Sequence, residues 1–219
     1  MQIPPSANAH SDRGLKRLLT FSPVYRLFSR VIGRPETAPR LVAHCVAPAA
    51  GDRILDLGCG PGTLAELLPS SIGEYYGVDI NPAYIRDAST RWAHQSSITF
   101  ICGDATAAKI SPGHYHIAVA IGLLHHLDDP AVERLFALAY AALRPGGRFV
   151  TWDCAFVEGQ HPLARLLISM DRGRAVRRPE GYCRLAQRHF AHVESRLFHD
   201  TLRVPYTICA MTCTKETGR

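Results

Sequence analysis

No segment of this chain approaches the run of roughly eighteen apolar residues that crosses a bilayer. The opening stretch, Met1 to His10, is too polar and proline-interrupted for a secretory signal. Together these absences point to a cytoplasmic protein without integral membrane contact. Paired cysteines are missing too: seven are scattered singly from Cys45 to Cys213, with no Cys-x-x-Cys. That disfavours a zinc knuckle and a disulfide framework, and leaves reduced, mostly buried thiols. His161, His189, His192 and His199 lack ligand spacing, so no metal is expected. Lysine is scarce, and the net charge of +6 rests almost entirely on arginines spread along the chain. A charge so dispersed does not by itself imply nucleic acid, and would also suit an anionic small molecule or headgroup. There is no internal repeat and no low-complexity segment.

What remains is ordinary globular material. With 219 residues, 47% of them apolar, the chain has enough for one buried core. From about Arg53 to Asp153, short β-branched runs alternate with helical patterns. The runs are Arg53–Leu57, Tyr75–Asp79, Ile98–Cys102, Ile117–Ile121 and Arg148–Trp152. Near-continuous apolar strands separated by helices predict a parallel sheet covered on both faces, a doubly wound α/β domain. Pro82 starts one helix running towards Gln95, and Ala131 to Leu143 forms another before Pro145-Gly146-Gly147. Ahead of this core, Lys16 to Ile32 and Glu36 to Val46 read as helices, so residues 1–46 are taken as a helical cap and 47–219 as the domain proper. Behind it, Ala155 to Phe190 is a long connection. His192 to Val204 and Pro205 to Thr214 then alternate as a closing antiparallel hairpin.

The sharpest local signal is Asp56-Leu-Gly58-Cys-Gly60-Pro-Gly62-Thr63, leaving the first strand and opening a helix. Glycines let backbone turn tightly and approach a bound nucleoside. A dinucleotide site uses G-x-G-x-x-G, with the helix N-terminus open to a pyrophosphate. Here Thr63 stands where that pattern wants glycine, so a cofactor without phosphates fits better.

This segment resembles motif I of the class I S-adenosylmethionine-dependent methyltransferases, and further landmarks follow in that family's order. Asp79 ends the second strand, Asp104 follows the third in Cys102-Gly-Asp104-Ala105, and Leu143-Arg-Pro-Gly-Gly147 precedes the fifth. The resemblance covers about Arg53 to Asp153. It departs from the family before strand four, where Tyr115-His116 replaces a common aspartate. It implies S-adenosyl-L-methionine as cofactor and a Rossmann-like seven-stranded sheet in the order 3-2-1-4-5-7-6, the last strand antiparallel. The cofactor residues it implies are Asp56, Gly58, Cys59, Gly60, Asp79, Ile80, Asp104, Ala105, Ile121 and Gly122. Among them Asp79 would accept from both ribose hydroxyls and Asp104 would read the adenine amino group.

For the chemistry, His125 and His126 follow strand four, at the sheet end where such folds bind ligands. Methyl transfer from a sulfonium needs an aligned acceptor and, for a hydroxyl, a base. His125 is the first candidate, with His126 behind it; the alternative is that the pair shapes the pocket or caps the next helix. Tyr25, in the aromatic stretch Phe21 to Phe28, is a second candidate, against plain core packing. The run Asp171-Arg172-Gly-Arg174-Ala-Val-Arg177-Arg178, with Tyr182, Arg184 and Arg188 beyond, would bind an anionic acceptor or form a solvated lid. The resulting expectation is methyl transfer to a small molecule, with O-methylation of a hydroxyl or carboxylate ahead of C- or N-methylation. A binding protein without turnover and a nicotinamide oxidoreductase are the rivals; the latter lacks a Tyr-x-x-x-Lys pair. The oligomeric state is left open.

Overall fold

The computed structural model describes residues 37–170, 173, 175–199 and 201–218. The expected helix from Lys16 to Ile32, and with it Tyr25, lies outside them. Described structure opens with a short helix, α1 (Thr37–Leu41), that runs into a π-helical turn, Val42–Val46. The turn closes with Ala47 N–H donating to Val42 O at 2.8 Å. It is held by Arg148, whose guanidinium donates to the carbonyls of Val46 and Ala47.

Five strands then run parallel: β1 (Arg53–Leu57), β2 (Glu74–Asp79), β3 (Ile98–Cys102), β4 (Tyr115–Ile121) and β5 (Leu143–Cys154). Between them lie α2 (Pro82–Arg91) after β2 and α3 (Asp129–Ala142) after β4. The connection beyond β5 carries α4 (Pro162–Ser169) and α5 (Pro179–Ala186). Strands β6 (His192–Phe198) and β7 (Ile208–Thr214) finish the sheet, β7 antiparallel to both β5 and β6. The seven strands take the order β3-β2-β1-β4-β5-β7-β6, as the resemblance implies.

Alternate residues of the central strands feed two separate cores, as sheet pleating requires. Leu55, Leu57, Ala118, Ala120 and Phe149 face Val132, Leu135 and Phe136 of α3 and Tyr182 and Leu185 of α5. Ile54, Ile117, Val119 and Val150 face Val42 and Val46 on one side of the sheet and join Ile85 and Ala88 of α2 in the same core. Fully burying each of these large side chains contributes about 1.5–3 kcal/mol. The doubly wound architecture therefore follows from strands that are apolar on both faces.

Several boundaries differ from the sequence reading, among them the closing hairpin, whose strands end at Phe198 and begin at Ile208 instead of meeting at Val204 and Pro205. The glycine turn after β1 opens no α-helix: turns lead to one 3-10 turn, Ala65–Leu67. Pro69 explains this, because it pushes the preceding Leu68 to extended backbone, ψ 148°, and leaves too few residues for a helix. Helix α2 ends at Arg91, short of Gln95. Helix α3 ends at Ala142, and Leu143 already pairs with Tyr115, so Pro145-Gly146-Gly147 lies in an irregular start to β5 where the register shifts.

Candidate functional site

At the carboxyl ends of β1 and β2 the glycine turn is fastened to its neighbour. Gly58 and Cys59 N–H both donate to Val78 O, at 2.7 and 3.0 Å. Gly60 N–H donates to Asp79 Oδ2 at 2.9 Å, and Asn81 N–H to Asp79 Oδ1 at 2.8 Å. Asn81 in turn caps α2 through Ala83 N–H, with Pro82 in the first turn. Each Asp79 oxygen thus has one donor and keeps acceptor capacity for a further hydroxyl. Burial raises the Asp79 carboxyl above its usual range, opposed by the two backbone donors.

The displaced third glycine has a steric cause. Gly62 has φ +73°, and a Cβ there would sit 2.8 Å from the Phe100 ring of β3. Around the turn, Ile80 is 74% exposed, an apolar surface beside the Asp79 carboxylate. Asp104 is exposed, its Oδ1 accepting from Thr106 N–H and hydroxyl at 2.8 Å. Gly103 N–H donates to Asp79 O, which holds Asp104 beside the same rim. Ala105 is buried behind it, and Ile121 and Gly122 leave β4, the latter donating to Trp152 O.

Two residues expected at this surface lie beneath it. Asp56 is buried and accepts from the Tyr75 hydroxyl at 2.5 Å. Burial, with Asp79 adding repulsion, pushes its carboxyl up to about 7. Cys59 is buried against Gly77, and its thiol is raised far above the ordinary range by desolvation.

On the other side of the sheet centre, β4 leads into a 3-10 turn, Leu124–His126. His125 is 7% exposed, and its Nδ1 lies 2.7 Å from Asp153 Oδ1 at the end of β5. The same oxygen accepts His125 backbone N–H at 3.1 Å. Asp153 is buried, and desolvation raises its carboxyl while the His125 contacts oppose that. His126 is exposed, with its ring centroid 4.1 Å from that of His125. Asp153 escaped the sequence reading, although an acid at the carboxyl end of an apolar strand was the available signal.

The connection after β5 closes over this pair. A Cβ on Gly173 would meet the His125 ring and stand 2.6 Å from its carbonyl oxygen, and Ala175 N–H donates to that oxygen at 3.0 Å. Arg177 fastens the segment down. Its guanidinium donates to Leu124 O at 3.0 Å, Leu127 O at 2.8 Å, Ala175 O at 2.9 Å and Asp129 Oδ1 at 2.6 Å. Arg177 is therefore committed to structure, and Arg188 is paired with Glu133. Arg172 and Arg174 lie outside the described residues. No group of metal-ligating side chains occurs among the described residues, and no described helix is long and apolar enough to cross a membrane.

Residues 54–147 match a family model described as a methyltransferase domain. An uncharacterized methyltransferase of Mycobacterium tuberculosis is 33% identical over 104 residues, 47% of this chain and 50% of that protein. A ubiquinone biosynthesis O-methyltransferase of Ralstonia nicotianae is 31% identical over 105 residues, 46% of this chain and 42% of that one. The matched stretches thus span half or less of these relatives. Among solved structures, phosphoethanolamine N-methyltransferase 2 of Haemonchus contortus, in complex with phosphomonomethylethanolamine and S-adenosylhomocysteine, superposes with a TM-score of 0.75. It is 16% identical, over 92% of this chain and 59% of that chain.

Proposed function

We propose that this chain is a class I S-adenosylmethionine-dependent methyltransferase, as the methyltransferase-domain match over residues 54–147 supports, and that it methylates a small-molecule acceptor, by O-methylation of a hydroxyl or carboxylate. The observation that carries the cofactor half is the Asp79 carboxylate, fixed by Gly60 and Asn81 N–H yet able to accept from a vicinal diol. Gly58 and Gly60 line the cofactor, Ile80 lies against the adenine and Asp104 reads its amino group. Asp56 and Cys59 act from beneath, by shaping the turn. Ile121 and Gly122 complete the rim, with Ala105 buried behind it. When bound, the cofactor supplies an activated methyl on a sulfonium.

His125, where β4 ends, is the base for the acceptor, and His126 borders the same mouth. The Ralstonia relative's name supports oxygen as the methylated atom. The Haemonchus neighbour's name keeps nitrogen as the second reading. Residues 1–46 serve as a cap of the same domain in this proposal, with Tyr25 within it as a further candidate for the site, and the protein works in the cytoplasm.

Calorimetric titration of the chain with S-adenosylmethionine, S-adenosylhomocysteine and NAD tests the proposal. Micromolar binding of the first two and none of NAD is expected. Asp79→Ala should weaken S-adenosylhomocysteine by roughly tenfold to a hundredfold, the scale of one or two charge-assisted hydrogen bonds. NAD binding alone would overturn the reading, and undiminished affinity in Asp79→Ala would overturn the assigned ribose contact.

A further inference from the structure

Strand β6 closes the sheet at the edge opposite β3. Its inner side pairs with β7 over all seven residues, His192–Phe198, without a register shift. Its outer side presents a row of backbone N–H and C=O groups that no described strand takes up. We propose that this edge is an interface for a second copy of the chain: two β6 strands pair antiparallel about a twofold axis at Ser195, and the sheet runs on through both copies. The inference is independent of the methyl-transfer reading.

The strand lacks the features that keep a sheet edge from pairing. Its sequence, His-Val-Glu-Ser-Arg-Leu-Phe, holds no proline, glycine or lysine, and it is longer than the five-residue β3 at the other edge. Its unbroken register with β7 excludes a bulge that would twist it away. The side chains are available as well. Glu194, Ser195, Arg196 and Leu197 are all exposed, Leu197 by 42%. Among the described residues, neither Glu194 nor Arg196 has a hydrogen bond or an ion pair. Both lie on one face, opposite Thr212 and Ala210 of β7, while Val193 and Leu197 lie on the other, opposite Cys213 and Cys209.

Symmetry and charge then select one register. Two copies related by a twofold axis meet through the same patch, so a residue that contacts a second one is contacted by it in return. An antiparallel ladder joins residues whose backbone groups both point outward, and those groups alternate along a strand, so the axis passes through a residue and not between two. An axis at Glu194 sets that carboxylate against its own copy, and an axis at Arg196 does the same to the guanidinium. With the axis at Ser195, Glu194 faces the partner's Arg196 and Arg196 faces the partner's Glu194, at the separation of about 5 Å where opposite charges across strands attract. On the other face Val193 meets the partner's Leu197, which covers the apolar side chain this edge exposes. Ser195 is also the midpoint of His192–Phe198, so the register that matches the charges pairs every residue of the strand. Any other axis shortens the ladder. The alternating charges thus resist unrelated edges and complement a second copy of the same one.

Sedimentation velocity of the full chain from about 1 to about 300 µM, the span in which small interfaces associate, should show a monomer–dimer equilibrium. Glu194→Arg turns both cross-strand pairs into like charges, as does Arg196→Glu, and each should weaken the dimer by roughly tenfold or more. Mixing the two variants restores both opposite-charge pairs, so a dimer should return in the mixture alone. Amide hydrogen exchange of wild type at the two ends of the concentration range gives a reading without any variant: protection should rise within His192–Phe198 and stay level in β3. Wild type that remains monomeric throughout overturns the proposal, whatever the variants do. Unchanged protection in β6, a dimer that survives both substitutions, or two folded variants that ignore each other when mixed overturns it equally.

Discussion

The carboxyl edge of the sheet is assembled in two ways. Around β1, β2 and β3 the bonds are short in sequence: Gly60 reaches Asp79 across 19 residues, and Asp79 reaches Asn81 across two. Around β4, β5 and the lid they are long: His125 to Asp153 spans 28 residues and Arg177 to Leu124 spans 53. The first half is rigid because backbone conformation and glycine leave no alternative. The second depends on side chains from separate segments finding one another. Damage should therefore spread differently: to the whole fold in one case, to a local flap in the other.

The largest effect is expected at Gly62. Alanine there must hold φ +73°, costing about 1–2 kcal/mol, and press on Phe100, adding roughly 1–3 kcal/mol. Gly62→Ala should lower the thermal midpoint by roughly 5–15 °C in a domain this size and weaken S-adenosylhomocysteine in parallel. A variant that melts like wild type would show that the turn has slack that the packing denies.

Arg177→Met probes the other half. It removes donors from Leu124 O and Leu127 O and breaks the contact to Asp129, whose exposed side chain tempers the ionic share. A global loss of about 1–3 kcal/mol is expected. The sharper result should be faster amide hydrogen exchange confined to residues near 124–127 and 175–178, with cofactor affinity nearly unchanged. Exchange rising uniformly across the sheet would erase the contrast between the halves.

That contrast also governs what the sequence discloses. The five parallel strands and the closing hairpin are legible because periodicity is a local property, whereas Asp79 and Asp104 are singled out by the family resemblance. The helix expected after Gly62 fails because one proline, Pro69, outweighs the apolar pattern of its segment. Asp153 is hidden because its partner comes from another strand, and no spacing rule links them. Arg177 is misread for the same reason: in sequence it belongs to a basic cluster, and in space its guanidinium fills a ring of carbonyls. Cap residues 1–36 and Tyr25 lie outside the described structure and leave that part of the reading as it stood.

The smallest effect distinguishes two buried carboxylates. Asp153 has an imidazole beside it, whereas Asp56 has the Tyr75 hydroxyl and a repelling neighbour in Asp79. Folding raises the Asp56 carboxyl from 3.8 to about 7, so the folded state favours its protonated form. That contribution is complete below the unfolded value and is lost as pH rises through about 7, so it weakens steadily between roughly 4 and 7. Asp79 and Asp153, also raised, act in the same direction. Asp56→Asn keeps a group able to accept from Tyr75 and removes the titration. Urea unfolding at pH 5 and pH 8 should therefore show a smaller difference between the two pH values in Asp56→Asn than in wild type, from the Asp56 share alone. Equal differences in the two proteins would take the pH sensitivity away from Asp56 and leave it with Asp79 and Asp153.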